Sequence, residues 1–207
     1  MDPRQVVLRA QGLLFDLDGT LVDSTHAVEH AWLSWAHRRG IPTEALFKGL
    51  HGRRAADILA GFVAEDELDA EFRWMEAFEA TYTEGVAPIP GAAELIDRLP
   101  SDRWGIVTNG TRPIAQARLK AAKLPTPGVF VTADEVYRGK PDPAPYLLGA
   151  QRLGIAPEEI VAFEDSEHGV LAAEKAGMKV IVVGEDIRNY KDLNLTLQDW
   201  LEVSYNA

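Results

Sequence analysis

Five short apolar runs punctuate the chain: "GLLFD" at 12–16, "WGIVT" at 104–108, "GVFVT" at 128–132, "IVAFED" at 160–165 and "KVIVV" at 179–183. None alternates apolar with polar, each is bounded by a turn or a helical pattern, and most are rich in β-branched residues. Such runs read as strands buried on both faces, the habit of a parallel sheet. Between them the pattern changes to a helical period, predicting helices over about 91–99, 112–122, 143–153 and 167–176. The last three open near Pro113, Pro143 and Ser166, residues suited to a first turn or an N-cap. Strand and helix in alternation imply βαβ units. The expected fold class is therefore α/β, a doubly wound parallel sheet, Rossmann-like, with its ligand crevice at the carboxyl ends of the strands.

The stretch from 24 to 88 breaks the alternation. "STHAVEHAWLSWAHRRG" places Val28, Ala31, Trp32 and Trp35 on one helical face, with Ser24 or Asp23 as cap and Gly40 as stop. "DELDAEFRWMEAFEATY" does the same with Leu68, Phe72, Met75, Phe78 and Tyr82, and a shorter helix is expected over 53–62. No strand is expected here. The organisation read from this is a core made of 1–23 and 89–207, interrupted by an all-helical insert over 24–88. Beyond Gly184 the pattern is irregular, with a last helix expected at 196–202 and no function assigned.

Composition narrows the class. With 207 residues, 46% of them hydrophobic and 26% charged, the chain matches an ordinary globular protein. A net charge of −11 argues against nucleic acid or an anionic membrane as partner, so an anionic substrate needs local positive charge or a metal. The absence of cysteine rules out disulfides, thiolate metal sites and a thiol nucleophile. Neither a signal peptide nor a membrane-spanning run is visible, which makes a cytoplasmic enzyme the expectation. No heptad pattern forces a dimer, and the oligomeric state is not legible.

The chemistry gathers at the strand ends. The first strand closes on Asp16-Leu17-Asp18, the second on Thr108-Asn109, the fourth on Glu164-Asp165, and a loop between them carries Lys140 in "GKPDP". Carboxylates crowded in a crevice push one another towards protonation. A hard divalent cation such as magnesium relieves this; Asp16, the main-chain carbonyl of Asp18 and Asp165 could supply its oxygens. A carboxylate is also a nucleophile able to form an acyl phosphate. Asp16, fixed at the strand end, suits that role, while Asp18, two residues on, could protonate a leaving alcohol and deprotonate water. Lys140, the Thr108 hydroxyl and N–H groups around Asn109 are donors suited to a phosphoryl group. Gly19 would let the chain turn away after the acids.

"FDLDGTLVDS", "VTNG", "GKPDP" and "FEDSEHGV", in this order, resemble the four signature motifs of the haloacid dehalogenase superfamily, and the insert resembles its small helical cap. "HGRRAADIL", "TEGV" and "VTADEVYRGKPDPAPYLLGAQRLG" further resemble bacterial sugar- and hexitol-phosphate phosphatases. The resemblance implies Asp16 as nucleophile, Asp18 as general acid/base, Thr108 and Lys140 as phosphate ligands, and magnesium on Asp16, Asp18 and Asp165. Glu164 stands where many members carry aspartate, which leaves metal, bound water or Lys140 as its partner. Asp18 argues against dehalogenation, because dehalogenases of this superfamily lack the second aspartate. Lys48 has nothing around it to suggest the imine-forming lysine of phosphonate hydrolases. A sugar phosphomutase shares every catalytic residue named, and a phospho-acceptor receiver domain would lack both Asp18 and the cap.

The insert offers His51, Gly52, Arg53 and Arg54 as substrate-binding candidates, since arginine suits bidentate contacts, against the alternative of a solvated helix start. Glu84 is either a hydroxyl acceptor for a polyol or a linker residue. Asp23 is read as a helix cap, with a place at the junction of cap and core as the alternative. His26, His30 and His37 read as surface or packing residues, His168 as part of the loop that follows Asp165, and Trp32, Trp35 and Trp74 as packing rather than a stacking platform.

Overall fold

The computed structural model describes residues 2–43, 53–184 and 190. Five parallel strands, β1 (Gly12–Phe15), β4 (Trp104–Val107), β5 (Val129–Val131), β6 (Ile160–Glu164) and β7 (Lys179–Val182), form one sheet in the order β5-β4-β1-β6-β7. β1 sets Leu13, Leu14 and Phe15 opposite Trp104, Gly105 and Ile106 on one side. On the other side the same residues face Val161, Ala162 and Phe163. The chain runs outward from β1 through β4 to β5, then returns to place β6 on the opposite side. That reversal opens a crevice beyond the end of β1.

Side-chain alternation splits the apolar residues between two layers. Leu13, Phe15, Ile106 and Phe163 face α1 (Pro3–Val7), α5 (Ala92–Ile96) and α6 (Arg112–Ala121). Leu14, Val107, Val131 and Ala162 face α7 (Ala144–Leu153) and α8 (Glu167–Lys175). Phe15 and Phe163 stack across the strand pair at 4.7 Å. The strands at the centre are buried throughout, which is why they read as unbroken apolar runs.

Between β1 and α5 lie α2 (Thr25–Arg39), α3 (Ala55–Leu59) and α4 (Glu65–Thr81). They share an apolar cluster built on Trp32, Trp35, Ile58, Leu59 and Met75. Each such large side chain contributes about 1.5–3 kcal/mol when fully buried. Gly40 ends α2 in the left-handed conformation at φ 66°, as its position in the pattern requires.

Two expectations need correction. A two-stranded antiparallel ribbon, β2 (Val22–Asp23) with β3 (Ala87–Pro88), joins the exit from the core to the return, where no strand is expected. Two-residue strands show no period, and a proline normally argues against a strand. On α4 the most buried stripe is Glu71, Met75 and Glu79 rather than the apolar set alone. Leu68, Phe72 and Phe78 pack at its edges, partly buried. The two glutamates tolerate burial because cations meet them: Arg38 and Arg39 at Glu71, Arg118 at Glu79. Trp35 Nε1 also donates to Glu71 at 2.7 Å. The expected tail helix at 196–202 lies outside the described residues.

Candidate active site

Asp16 follows the last residue of β1, and its N–H continues the ladder by donating to the Phe163 carbonyl at 2.9 Å. The strand thus fixes its backbone while its side chain looks into the crevice. Gly19 turns the chain at φ 86°, and a Cβ there would lie 1.9 Å from Asp165 Oδ2. Only glycine fits both the angle and the approach.

Lys140 enters from the loop before α7 with its ammonium buried. It donates to Asp16 Oδ1 at 2.6 Å and, in a shorter contact, to Glu164 Oε1. Asn109 staples this loop, accepting from Lys140 N at 3.0 Å and donating back to its carbonyl at 3.3 Å. Tyr146 and Ser166 also donate to Glu164, at 2.7 and 3.2 Å. Lys140 thus contacts Glu164 directly. Gly169 makes room for it, since a Cβ there would fall 1.9 Å from the Glu164 carboxylate. Thr108 is buried with its hydroxyl accepting from Gly110 N at 3.0 Å.

Among the described residues, one oxygen from each of Asp16, Glu164 and Asp165 lies within 4.8 Å of the others. Burial drives the Asp16 carboxyl well above its ordinary range; Glu164, Asp165 and Asp18 add to this and Lys140 opposes it. Enclosure in the crevice, then the Glu164 charge, raises Asp165 to about 6. Burial alone would lower the Lys140 ammonium, yet Asp16 and Glu164 outweigh it and carry it to about 12. An all-oxygen donor set whose members resist ionising together fits a hard cation that would relieve the repulsion. The Asp18 carboxylate stands outside this group. Its Oδ1 is taken by Ser24 Oγ, at 2.6 Å, and by the Arg118 guanidinium.

Arg118, on α6, is the functional candidate that sequence reasoning missed. It is buried and pairs with both Asp18 and Glu79. The available signal was a charged residue on each of two apolar stripes: Arg118 with Ile114, Ala115 and Leu119, and Glu79 with Met75.

A cavity of about 300 Å³ opens over these groups and is walled on the far side by Val28, Trp32, Ile58, Phe72 and Glu76. Asp16, Asp18, Thr108, Asn109, Lys140 and Asp165 all line it, as do Arg53 and Arg54. Arg54 is engaged by Asp57 at 3.0 Å and reaches across to the Tyr137 carbonyl at 3.2 Å. His51, Gly52 and Lys48 lie outside the described residues. Glu84 is exposed, outside the cavity lining, and accepts from Tyr82 at 3.1 Å. Asp23 accepts from Thr25 N at 3.1 Å and sits on the ribbon at the junction of core and insert, while Ser24 occupies the N-cap position of α2. His30 stacks on Tyr82 at 4.2 Å, and Trp74 lies under Arg38 at 4.4 Å, both packing contacts. Trp32 packs in the cluster and also walls the cavity.

Comparison with known proteins places this geometry. Residues 10–177 match the family described as haloacid dehalogenase-like hydrolase. Hexitol phosphatase A of Escherichia coli (strain K12) is 47% identical over 204 residues, covering 95% of this chain and 94% of that protein. Validoxylamine A 7'-phosphate phosphatase of Streptomyces hygroscopicus subsp. limoneus is 35% identical, covering 93% and 95%. Among solved structures, CbbY from Rhodobacter sphaeroides in complex with phosphate superposes with a TM-score of 0.74 at 28% identity, covering 86% of this chain and 88% of that one. No helix among the described residues is long and apolar enough to cross a membrane. With its four motifs converging on one crevice of a five-stranded parallel sheet, the chain belongs to the haloacid dehalogenase-like hydrolase family.

Proposed function

We propose that the protein is a magnesium-dependent phosphatase for small phosphorylated sugars or sugar alcohols, acting through a phosphoryl group carried on Asp16. The observation that carries this is the Asp16 carboxylate held at a strand end, 2.6 Å from the Lys140 ammonium and facing a cavity of about 300 Å³. The similarity to a hexitol phosphatase and to a validoxylamine A 7'-phosphate phosphatase supports the substrate class. Asp16, Asp165 and the Asp18 main chain would hold the ion, with Glu164 beside them. Bound there, magnesium supplies positive charge for the non-bridging phosphate oxygens.

Asp16 attacks phosphorus through one carboxylate oxygen as the bond from phosphorus to the substrate oxygen breaks. Asp18 gives its proton to the departing alkoxide. Water then attacks the same phosphorus, Asp18 takes the water's proton, and the P–O bond to Asp16 breaks to regenerate the carboxylate with inorganic phosphate. Lys140, Thr108 and the N–H groups after Asn109 hold the phosphoryl oxygens in line, and positioning accounts for most of the rate in a loose transition state. Residues 24–88 form a cap over the core made of 1–23 and 89–207. This cap excludes bulk water and sets substrate preference through Arg53, Arg54 and the His51-Gly52 segment.

The test is a panel of phosphorylated sugars and polyols, assayed for released phosphate with and without magnesium and for isomerised products. Magnesium-dependent phosphate release from hexitol phosphates is expected. Isomerised sugar phosphates without phosphate release would instead favour the phosphomutase alternative.

A further inference from the structure

We propose that Arg118 positions the general acid/base, and that Glu79 ties this grip to the seating of the helical insert. The proposal rests on the reading of Asp18 above. Arg118 projects from α6, in the sheet layer, and is 3% exposed. Its Nη1 donates to Asp18 Oδ1 and its Nη2 to Glu79 Oε2 on α4. A planar guanidinium can hold two carboxylates at a fixed separation; an ammonium, as a point charge, cannot. Ser24 Oγ also donates to Asp18 Oδ1, at 2.6 Å, and lies 3.4 Å from Arg118 Nη1.

Both donors therefore use the same oxygen of Asp18. The other oxygen, Oδ2, faces the loop after β4: a Cβ on Gly110 would sit 3.9 Å from it and 3.4 Å from Thr108 Oγ1. The unclaimed oxygen of Asp18 thus lies beside Thr108 and Gly110, residues that line the cavity with it. Glu79 is buried too, so its charge depends on Arg118. Lifting α4 away from α6 removes one of the two anchors of the guanidinium. Orientation of the acid/base and closure of the insert thus share a single side chain.

The experiment compares the intact wild-type protein with Arg118→Lys, with the double variant Arg118→Met/Glu79→Leu, and with Asp18→Asn. The double variant removes the buried pair together, a change that proteins commonly tolerate; its melting curve reports folding. Two substrates are used with magnesium: sorbitol 6-phosphate, whose alkoxide needs a proton to leave, and p-nitrophenyl phosphate, whose phenolate does not. For both Arg118 variants, kcat on sorbitol 6-phosphate is expected to fall by about 10²–10³-fold with KM little changed, within the range for losing general acid/base action. On p-nitrophenyl phosphate they are expected to show a burst of p-nitrophenolate followed by slow turnover, because the first step is spared and the second is not. Equal losses on both substrates without a burst, or unchanged kcat in the folded double variant, would overturn the role of Arg118. Unimpaired turnover in Asp18→Asn would overturn the mechanism beneath it instead.

Discussion

Among the described residues two buried cations, Lys140 and Arg118, each grip a pair of carboxylates. Lys140 joins Asp16 to Glu164, and all three come from the sheet domain's own strand ends and loops. Arg118 joins Asp18 to Glu79, so one of its partners comes from the helical insert. The inner cluster is held from behind the cavity: Tyr146 and Ser166 hold Glu164, and Asn109 holds the backbone of Lys140. The outer cluster straddles a boundary. The contrast separates two requirements of the proposed chemistry, a nucleophile that must not move and an acid/base whose setting depends on the insert being in place.

The comparison is broken most severely at the nucleophile. Asp16→Asn is expected to lower turnover by at least about 10⁴-fold while the melting curve stays cooperative, because an amide cannot form the acyl phosphate. Next comes the inner cation. Lys140→Met leaves Asp16 and Glu164 buried without their counter-charge and is expected to destabilise the protein by about 3–5 kcal/mol in urea unfolding. Arg118→Met alone should be comparably costly, since it strands Glu79, whose carboxyl burial already pushes upward against Arg118. Adding Glu79→Leu should recover much of the stability but not the activity. No matching recovery is expected from Lys140→Met with Glu164→Leu, because Asp16 remains unpaired.

A pH series sharpens the picture further. In the metal-free protein the folded state holds the Asp165 proton up to about 6, against an ordinary aspartate value of about 3.9 in the unfolded chain. The folded state then binds more protons across that window, so stability falls as pH rises through it and levels off above it. Added magnesium is expected to raise the melting temperature little near pH 4.5 and most above about pH 6.5, where the crowded carboxylates must be charged. A magnesium effect independent of pH would contradict the proposal that Asp16 and Asp165 hold the cation. The smallest effect belongs to Ser24→Ala. It removes one donor to Asp18 but leaves Arg118, and is expected to cost about 1 kcal/mol.

The inner cluster was legible in the sequence because its parts are local. Asp16, Thr108, Lys140 and Asp165 each sit at the end of an apolar run or in a short loop, and the topology of a parallel sheet brings such ends together. The outer cluster was not, because Arg118 and Glu79 are ordinary helix residues about forty positions apart, and nothing in either helix says that they meet. Their only mark is a charge on a buried stripe. The β2–β3 ribbon escaped for another reason: its two-residue strands, one containing Pro88, carry no periodicity at all. Glu164 could be placed beside Lys140 only once the strand order put β6 next to β1.

The central claim is that Asp16 carries the phosphoryl group, and acid quenching tests it most directly. Asp18→Asn protein mixed with magnesium and phosphorus-labelled p-nitrophenyl phosphate, whose phenolate leaves without a proton from Asp18, is quenched in acid and digested, and is expected to yield label on the peptide containing Asp16. That label should be absent when Asp16→Asn is added to the same protein. Label that appears only as free phosphate, or on a peptide without Asp16, would contradict the account.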